Sequence, residues 1–276
     1  MEVVSTTLRQ TVGPGRWQHY QRCLSGIVQR ELWRFINQKS RFFSALVRPL
    51  LWLLVFAAGF RAALGVSIMP PYSTYIPYEV YIVPGLCCMI LLFNAMQSSL
   101  SMVYDREMGS MKLLLISPLP RWFLLLAKML AVSLVSLLQV YTFLLLAWLY
   151  GIEPPWWGWL QALPVLLLAS WLLTALGLFM ASHIKQLENF AGVMNFVIFP
   201  MFFLSSALYP LWKMQEASLW LYWLCQLNPF THAVEAVRFA LYLQWQWQAL
   251  AITASLALLL GGLALWSFQP LRVVGR

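Results

Sequence analysis

Six stretches of about 20 mostly apolar residues recur along the chain, each bounded by charged residues, prolines or tryptophan clusters. An α-helix rises about 1.5 Å per residue, so about 20 residues cross the hydrocarbon core of a bilayer. The pattern therefore predicts six transmembrane helices. Their windows are residues 44–63, 83–103, 129–149, 160–182, 190–209 and 249–268. The third extends back to Trp122 if Lys128 reaches the surface.

Composition agrees with a membrane protein and excludes a water-soluble enzyme. Hydrophobic residues make up 61% of the 276 positions and charged residues only 10%, against about 25% charged residues in a soluble domain. Apolar surface on this scale must contact lipid. The four cysteines show neither metal nor redox spacing, and we expect Cys87 and Cys88 to be buried as small apolar side chains.

The charged residues predict the orientation of the chain. The net charge is +9, and six crossings would leave both termini on one side of the membrane. On that side we place Arg9, Arg16, Arg22, Arg30, Arg34, Lys39, Arg41, Arg48, Arg106, Lys112, Arg121, Lys128, Lys185, Arg272 and Arg276. Only Arg61, Lys213 and Arg238 fall on the other side. Because basic loops favour the cytoplasm, we expect both termini to be cytoplasmic and no nucleic acid to be bound.

The segment before the first crossing, residues 17–41, mixes apolar and basic positions. Leu24, Val28, Leu32 and Phe35 follow helical spacing, and nearby arginines can contact anionic headgroups. The pattern predicts an amphipathic helix on the cytoplasmic surface, or alternatively a helix that docks on the rest of the protein. The chain then divides into a cytoplasmic N-terminus (1–43), one transmembrane domain (44–268) and a cytoplasmic tail (269–276).

A long apolar segment, residues 210–248, separates the last two crossings. It predicts two short helices, at 220–227 and 230–243, with Asn228 as the N-cap and Pro229 at the first position of the second. Glu235 and Arg238 are three residues apart on one helix face and can pair. The two helices either re-enter the outer leaflet or lie flat on the surface, and both alternatives stay open.

Few polar residues lie within the crossings. For Asn94, Gln97, Gln139 and Asn195 we expect interhelical hydrogen bonds rather than substrate contacts. Gly177 and Ala181, four apart, would let two helices approach closely. The crossings contain no interior acidic residue, which argues against a proton-driven carrier, and no charged crossing residue indicates the sign of a substrate. Neither a metal-site spacing nor a catalytic nucleophile motif occurs.

The cytoplasmic loop after the second crossing, residues 104–120, has an unusual order of residue types. Charged residues are followed by Gly109, an apolar stretch with helical spacing, and Ser117-Pro118, which ends it. The pattern predicts a short helix parallel to the membrane, joined to the crossing by a bend at Gly109. Such a helix is suited to transmit motion from a soluble partner.

These motifs resemble the membrane-spanning subunits of ABC-2 type ATP-binding-cassette exporters, which include permeases for surface polysaccharides, nodulation lipo-oligosaccharides and antibiotics. The loop matches the family pattern at Asp105, Arg106, Glu107, Gly109, Ser110, Met111, Leu114, Ser117 and Pro118. It departs at Lys112, where an acidic residue is common. A second match is Asn228, Pro229, Phe230 and Thr231, with Glu235, Ala236 and Arg238 beyond. A third is Val83-Pro84-Gly85-Leu86, like the start of the family's second crossing.

The resemblance implies an all-α permease with six transmembrane helices, located in a bacterial plasma (inner) membrane. It implies an exporter in which a homodimer, or a pair with a similar permease, binds two cytoplasmic ABC ATPase subunits. The segment from Asp105 to Pro118, within the coupling loop 104–120, would then be the coupling helix. ATP and Mg²⁺ would be bound by the ATPase, because this chain has no phosphate-binding loop and no enzymatic motif of its own. An ion-driven secondary carrier and a non-transporting membrane scaffold are the alternatives. The sequence leaves the substrate open, and export rests on the resemblance alone.

Overall fold

The structure, a computed structural model, describes residues 16–37, 39–60, 70–72, 76–109, 120–184 and 186–267. The described residues form ten helices. They are α1 (Arg16–Asn37), α2 (Lys39–Phe60), α3 (Tyr78–Glu107), α4 (Arg121–Leu149), α5 (Trp156–His183), α6 (Leu187–Phe203), α7 (Leu211–Ala217), α8 (Leu219–Leu227), α9 (Pro229–Leu241) and α10 (Trp247–Ser267). Most of the coupling loop, residues 110–119, lies outside the described ranges.

The core lies around α3 and α5. α3 packs against α2, α4, α5, α6 and α9, and α5 also packs against α4, α9 and α10. By length and composition, α3, α4, α5 and α10 can cross a membrane, while α2 and α6 contribute the shorter apolar helices Leu46–Phe56 and Leu187–Phe203. The prediction of a helical membrane protein is therefore confirmed, and within the described residues four helices are long and apolar enough to cross a membrane.

The fifth predicted crossing is shorter than expected. The sequence predicts a helix through residue 209, but α6 ends at Phe203, and its 17 residues extend about 26 Å. The chain turns because Ser205 takes over the local hydrogen bonding: its hydroxyl donates to the Phe202 carbonyl and accepts from the Ala207 N–H. Residues 204–209 form a turn, buried at residues 205–208, rather than continuing the helix.

The Val83-Pro84-Gly85-Leu86 motif does not mark the start of its helix, because α3 begins at Tyr78. Gly85 instead allows a close approach. A Cβ added to it would lie 2.5 Å from the carbonyl oxygen of Ala207 and 2.8 Å from its Cα. The turn after α6 can therefore pack directly on the backbone of α3.

The predicted interhelical hydrogen bonds form for two of the four polar crossing residues. The Asn94 amide donates to the Ser136 hydroxyl at 3.2 Å and to the Gln139 carbonyl oxygen, which joins α3 to α4. Gln97 and Asn195 are exposed instead and make no hydrogen bond within the described part of the chain, so the prediction is wrong for them. Gly177 does approach α3 closely, against Ser99 and Ala95.

The predicted N-terminal helix is present as α1. It packs against α4, where the Tyr20 and Phe123 rings meet edge to face with their centroids 5.0 Å apart. This contact agrees with the docking alternative.

The segment between α6 and α10 contains α7, α8 and α9, and Asn228 joins two of its helix ends. Its side-chain oxygen accepts from the Phe230 N–H at 3.0 Å and caps α9, as the sequence predicts. Its amide donates to the carbonyls of Met201 and Leu204, at 2.8 and 2.6 Å, at the end of α6. One side chain therefore caps the beginning of α9 and the end of α6.

Gly158, near the start of α5, lies against the last residue of α9, and a Cβ there would overlap the Leu241 carbonyl oxygen. We expect Gly158→Ala to destabilise the protein by about 1–3 kcal/mol, because backbone must move to admit the methyl group. Gly262→Ala in α10 is the matched control, since nothing lies within 4 Å of its added Cβ. It should stabilise slightly. Thermal unfolding in detergent measures both, and equal melting temperatures would contradict the close contact.

The hydrogen bonds of Asn228 predict an unusual order of stability among variants at this position. Asp caps helices about as well as Asn. However, an aspartate would place a carboxylate oxygen against the carbonyl oxygens of Met201 and Leu204, where the amide of Asn228 donates hydrogen bonds. We therefore expect Asn228→Asp to destabilise at least as much as Asn228→Ala, by about 2 kcal/mol or more. Asn189→Asp, at an exposed position bonded only to Gln186, is the control. An aspartate variant as stable as the native chain would exclude the double cap.

Candidate functional site

The C-terminal end of α3, called its inner end here, carries the first residues of the predicted coupling loop. α3 ends at Glu107, with Met108 as its C-cap, and the N–H of Gly109 donates to the Arg106 carbonyl at 3.1 Å. Gly109 has a φ of 74°, a left-handed conformation that glycine adopts without steric cost. The chain therefore bends at Gly109, as the sequence predicts. The other motif residues, Ser110, Met111, Leu114, Ser117 and Pro118, lie outside the described ranges.

Arg106 and Glu107 bind the connection between α5 and α6. The Arg106 guanidinium donates to the carbonyl oxygen of Ile184, the residue that ends α5. The Glu107 carboxylate accepts from the N–H of Leu187, the first residue of α6, at 3.1 Å. A cation at a helix C-terminus and an anion at a helix N-terminus both interact favourably with the helix dipole. We call this arrangement of Arg106, Glu107, Ile184 and Leu187 the inner clamp.

The inner clamp changes the interpretation of the motif. The resemblance assigns Arg106 and Glu107 to contact with a soluble ATPase, whereas in this chain both side chains bind backbone groups of their own subunit. Around them Tyr104 and Met108 present apolar side chains to the exterior, with 45% and 62% of their surface exposed. The sequence did not predict the roles of Ile184 and Leu187, because a backbone carbonyl or N–H can form a hydrogen bond whatever side chain its residue carries.

The outer motif centres on a buried arginine. Arg238 on α9 has 0% of its surface exposed and pairs with Glu235, as the sequence predicts. Its guanidinium also donates to the Ser206 carbonyl at 2.6 Å and lies over the Tyr81 ring, 4.0 Å from the centroid. The Tyr81 hydroxyl donates to the same Ser206 carbonyl at 2.9 Å.

These contacts join three elements. Arg238 belongs to α9, Tyr81 to α3, and Ser206 to the turn after α6. A buried ion pair contributes little net stability once desolvation is counted, but removing one partner leaves an uncompensated charge. The network therefore fixes the position of α9 more than it adds to stability. Thr231, from the same motif, is buried and contributes its carbonyl, which accepts from the Ser206 hydroxyl at 3.5 Å.

Tyr72 and Tyr242 lie next to this network, outside the membrane-spanning helices. The rings of Tyr72 and Tyr242 meet edge to face, with centroids 4.6 Å apart. Burial raises the pKa of the Tyr72 hydroxyl above its ordinary value, and the charge of Arg238 offsets only part of that rise. Tyr72 is therefore neutral at physiological pH and acts here as a packing residue.

Comparison with known proteins agrees with this arrangement of helices and motifs. The family described as ABC-2 type transporter matches residues 23–242, about four-fifths of the chain. A transport permease of Cyanophora paradoxa named ycf38 is 30% identical over 218 residues, which cover 77% of this chain and 72% of that protein.

Two further relatives are similar. The ycf38 transport permease of Porphyra purpurea is 28% identical over 231 residues, covering 81% of this chain and 75% of that protein. The multidrug ABC transporter permease YbhR of Escherichia coli K12 is 29% identical over 196 residues, covering 67% of this chain and 52% of YbhR. With its packed apolar helices and the motifs at Arg106 and Asn228, the chain belongs to the ABC-2 type transporter family and is a membrane transport permease.

Proposed function

We propose that this chain is the permease subunit of an ATP-binding-cassette exporter in a bacterial plasma membrane. It forms the substrate pathway as a homodimer and is coupled through residues 104–120 to two separate ATPase subunits. ATP and Mg²⁺ are bound by those subunits, and this chain performs no chemical step. Both termini are cytoplasmic.

The inner clamp carries this proposal. A soluble partner that moved residues 110–119 would pull on the end of α3, where Arg106 and Glu107 bind the ends of α5 and α6. A displacement at one loop would then reach three membrane helices. Hydrogen bonds to the ends of rigid helices transmit such a displacement better than a flexible linker would.

The burial of α9 supports a re-entrant position for this helix. α9 buries Phe230, Val234 and Arg238 and packs against α3, α5 and α10. A helix lying flat on the membrane surface would bury only one face, against the surface beneath it. α8 presents Trp220, Trp223 and Leu227 outward, as a helix in the headgroup layer would.

The class of substrate and the direction of transport rest on the relatives. YbhR is named as a multidrug transporter permease, and compounds exported by such systems are commonly amphipathic. We therefore propose export of an amphipathic compound. The proposed dimer rests on the same family resemblance.

Charge reversal at the inner clamp tests the coupling. We expect Glu107→Lys to lower the transport achieved per ATP hydrolysed by about tenfold, within the usual range of coupling free energies, because a lysine cannot accept the hydrogen bond from the Leu187 N–H. Binding of the ATPase should be retained. Pull-down of the ATPase and flux into inverted vesicles measure the two quantities.

Glu188→Lys is the matched control for this experiment, because Glu188 lies in the first turn of α6 and makes no bond within the described part of the chain. It should remain coupled. Loss of ATPase binding in Glu107→Lys would identify Glu107 as a partner contact instead. Flux through the reconstituted permease without any ATPase would favour a secondary carrier.

Labelling of single cysteines tests the orientation. In a chain whose four native cysteines are replaced by serine, we expect Ser110→Cys to react with a membrane-impermeant maleimide only after the cells are permeabilised. Glu153→Cys, in the exposed connection between α4 and α5, should react in intact cells. The opposite pattern would invert the topology and exclude a cytoplasmic ATPase at residues 104–120.

A further inference from the structure

Arg48 lies nearer the middle of the membrane helices than its sequence neighbourhood suggests. The sequence groups it with the cytoplasmic basic residues, but its guanidinium lies over the ring of Phe93 on α3, 3.9 Å from the centroid. Phe93 is 14 residues from the inner end of α3 at Glu107 and 15 from its outer end at Tyr78. At about 1.5 Å per residue the guanidinium lies about 21 Å from the inner end of α3, near the middle of the longest crossing.

Among the described residues, no carboxylate lies at this depth, in this chain or in a second copy placed at the same level. The acidic residues are Glu31 on α1, Glu79 in the first turn of α3, Asp105 and Glu107 in its last turn, Glu153 after α4, Glu188 in the first turn of α6, Glu216 on α7, and Glu235, which pairs with Arg238. The ninth, Glu2, lies outside the described ranges. The charge of Arg48 therefore has no described counter-ion, while its side chain is exposed.

Two exposed amides lie at a similar depth. Gln97 is one helical turn from Phe93 on α3, and Asn195 is in the middle of α6. The bond between Glu107 and Leu187 brings the inner ends of α3 and α6 level. From that level Gln97 lies about 15 Å and Asn195 about 12 Å along their helices. A guanidinium and two unbonded amides facing hydrocarbon would be costly, so this surface faces water or a polar ligand.

An aromatic surface connects these polar groups. Trp52 is one turn from Arg48 on α2, and its ring meets that of Phe203 edge to face, with centroids 5.6 Å apart. Phe203 stacks on Phe199, with centroids 6.3 Å apart. Phe199 is in turn one turn from Asn195 on the same face of α6. The polar groups and the aromatic rings therefore border one continuous surface.

We propose that this surface binds an amphipathic anion, and that Arg48 selects it. The carboxylate, sulfate or phosphate group contacts the Arg48 guanidinium with help from the Gln97 amide, and the apolar body packs along Trp52, Phe199 and Phe203. This inference rests on the proposed function, because it places the substrate in the pathway formed by the permease. An exported amphiphile and an anionic lipid share this chemistry.

Direct binding to the full-length chain tests the proposal. The permease is reconstituted in phosphatidylcholine nanodiscs, and the binding of dodecyl phosphate is compared with that of dodecyl maltoside, which has the same alkyl chain but no charge. We expect dodecyl phosphate to bind at least about tenfold more tightly. Arg48→Gln should abolish that preference, and Arg48→Lys, which keeps the charge, should retain most of it.

Lys213→Gln is the matched control, because Lys213 also lies near an aromatic ring, 5.4 Å from the centroid of Trp212, but on α7. It should leave the preference unchanged. An Arg48→Gln variant with native selectivity, or an equal loss in Lys213→Gln, would overturn the proposal. If Arg48→Gln does not fold, Asn195→Leu and Gln97→Leu, which keep the arginine, should each weaken dodecyl phosphate binding, and unchanged affinity in both would overturn the proposal.

Competition experiments distinguish a lipid from an exported amphiphile as the source of the anion. The absence of the ATPase distinguishes a failure of the anion site from a failure of the proposed coupling. If phosphatidylglycerol in the nanodisc displaces the probe, the site is an anion site occupied by lipid; if it does not, the site takes the exported amphiphile. Inorganic phosphate alone should not compete, because it lacks the apolar body. No ATPase is present, so a failure here leaves the coupling test at Glu107 unaffected, and a failure of coupling leaves this binding test intact.

Discussion

The structure depends on satisfying the backbone groups at helix ends within an apolar environment. In lipid no water is present to bond the last carbonyls or the first N–H groups of a helix, so protein groups must do so. Here side chains from outside the helices serve that purpose at the end of α6, and side chains of α3 also bond helix ends at the exposed inner clamp. Arg106 and Glu107 bind the ends of α5 and α6, and Asn228 binds the ends of α6 and α9. The residues that match the family's motifs are therefore also residues that complete helix ends.

Much of the fold could be predicted from the pattern of apolar residues, because crossing a bilayer requires a fixed length of helix. The ends of the helices could not. α6 stops at Phe203 because Ser205 and Asn228 provide alternative partners for its backbone, and no local apolar pattern records a partner 24 residues away. Similarly, Gly85 looked like the start of a helix and proved to be a contact point for the turn after α6.

The candidate site was predictable where it depends on local spacing. Glu235 and Arg238 are three residues apart, and Asn228 directly precedes a proline, so pairing and capping followed from the sequence alone. The partners that give these residues their roles are distant in sequence: Ser206 and Tyr81 for Arg238, and Leu187 for Glu107. Arg48 shows the same limit, since only its contact with Phe93 separates it from the cytoplasmic arginines.

α6 is held at both ends by other helices. Glu107 of α3 binds its first residue, and Asn228, ahead of α9, binds its last carbonyls. The 17 residues of α6 therefore connect the end of α3 to the beginning of α9. If α6 tilts as one unit, a displacement of its first residue is accompanied by a displacement of its last residues, and of α9 with them, in the opposite direction. No helix would have to unwind for one face to open while the other closes.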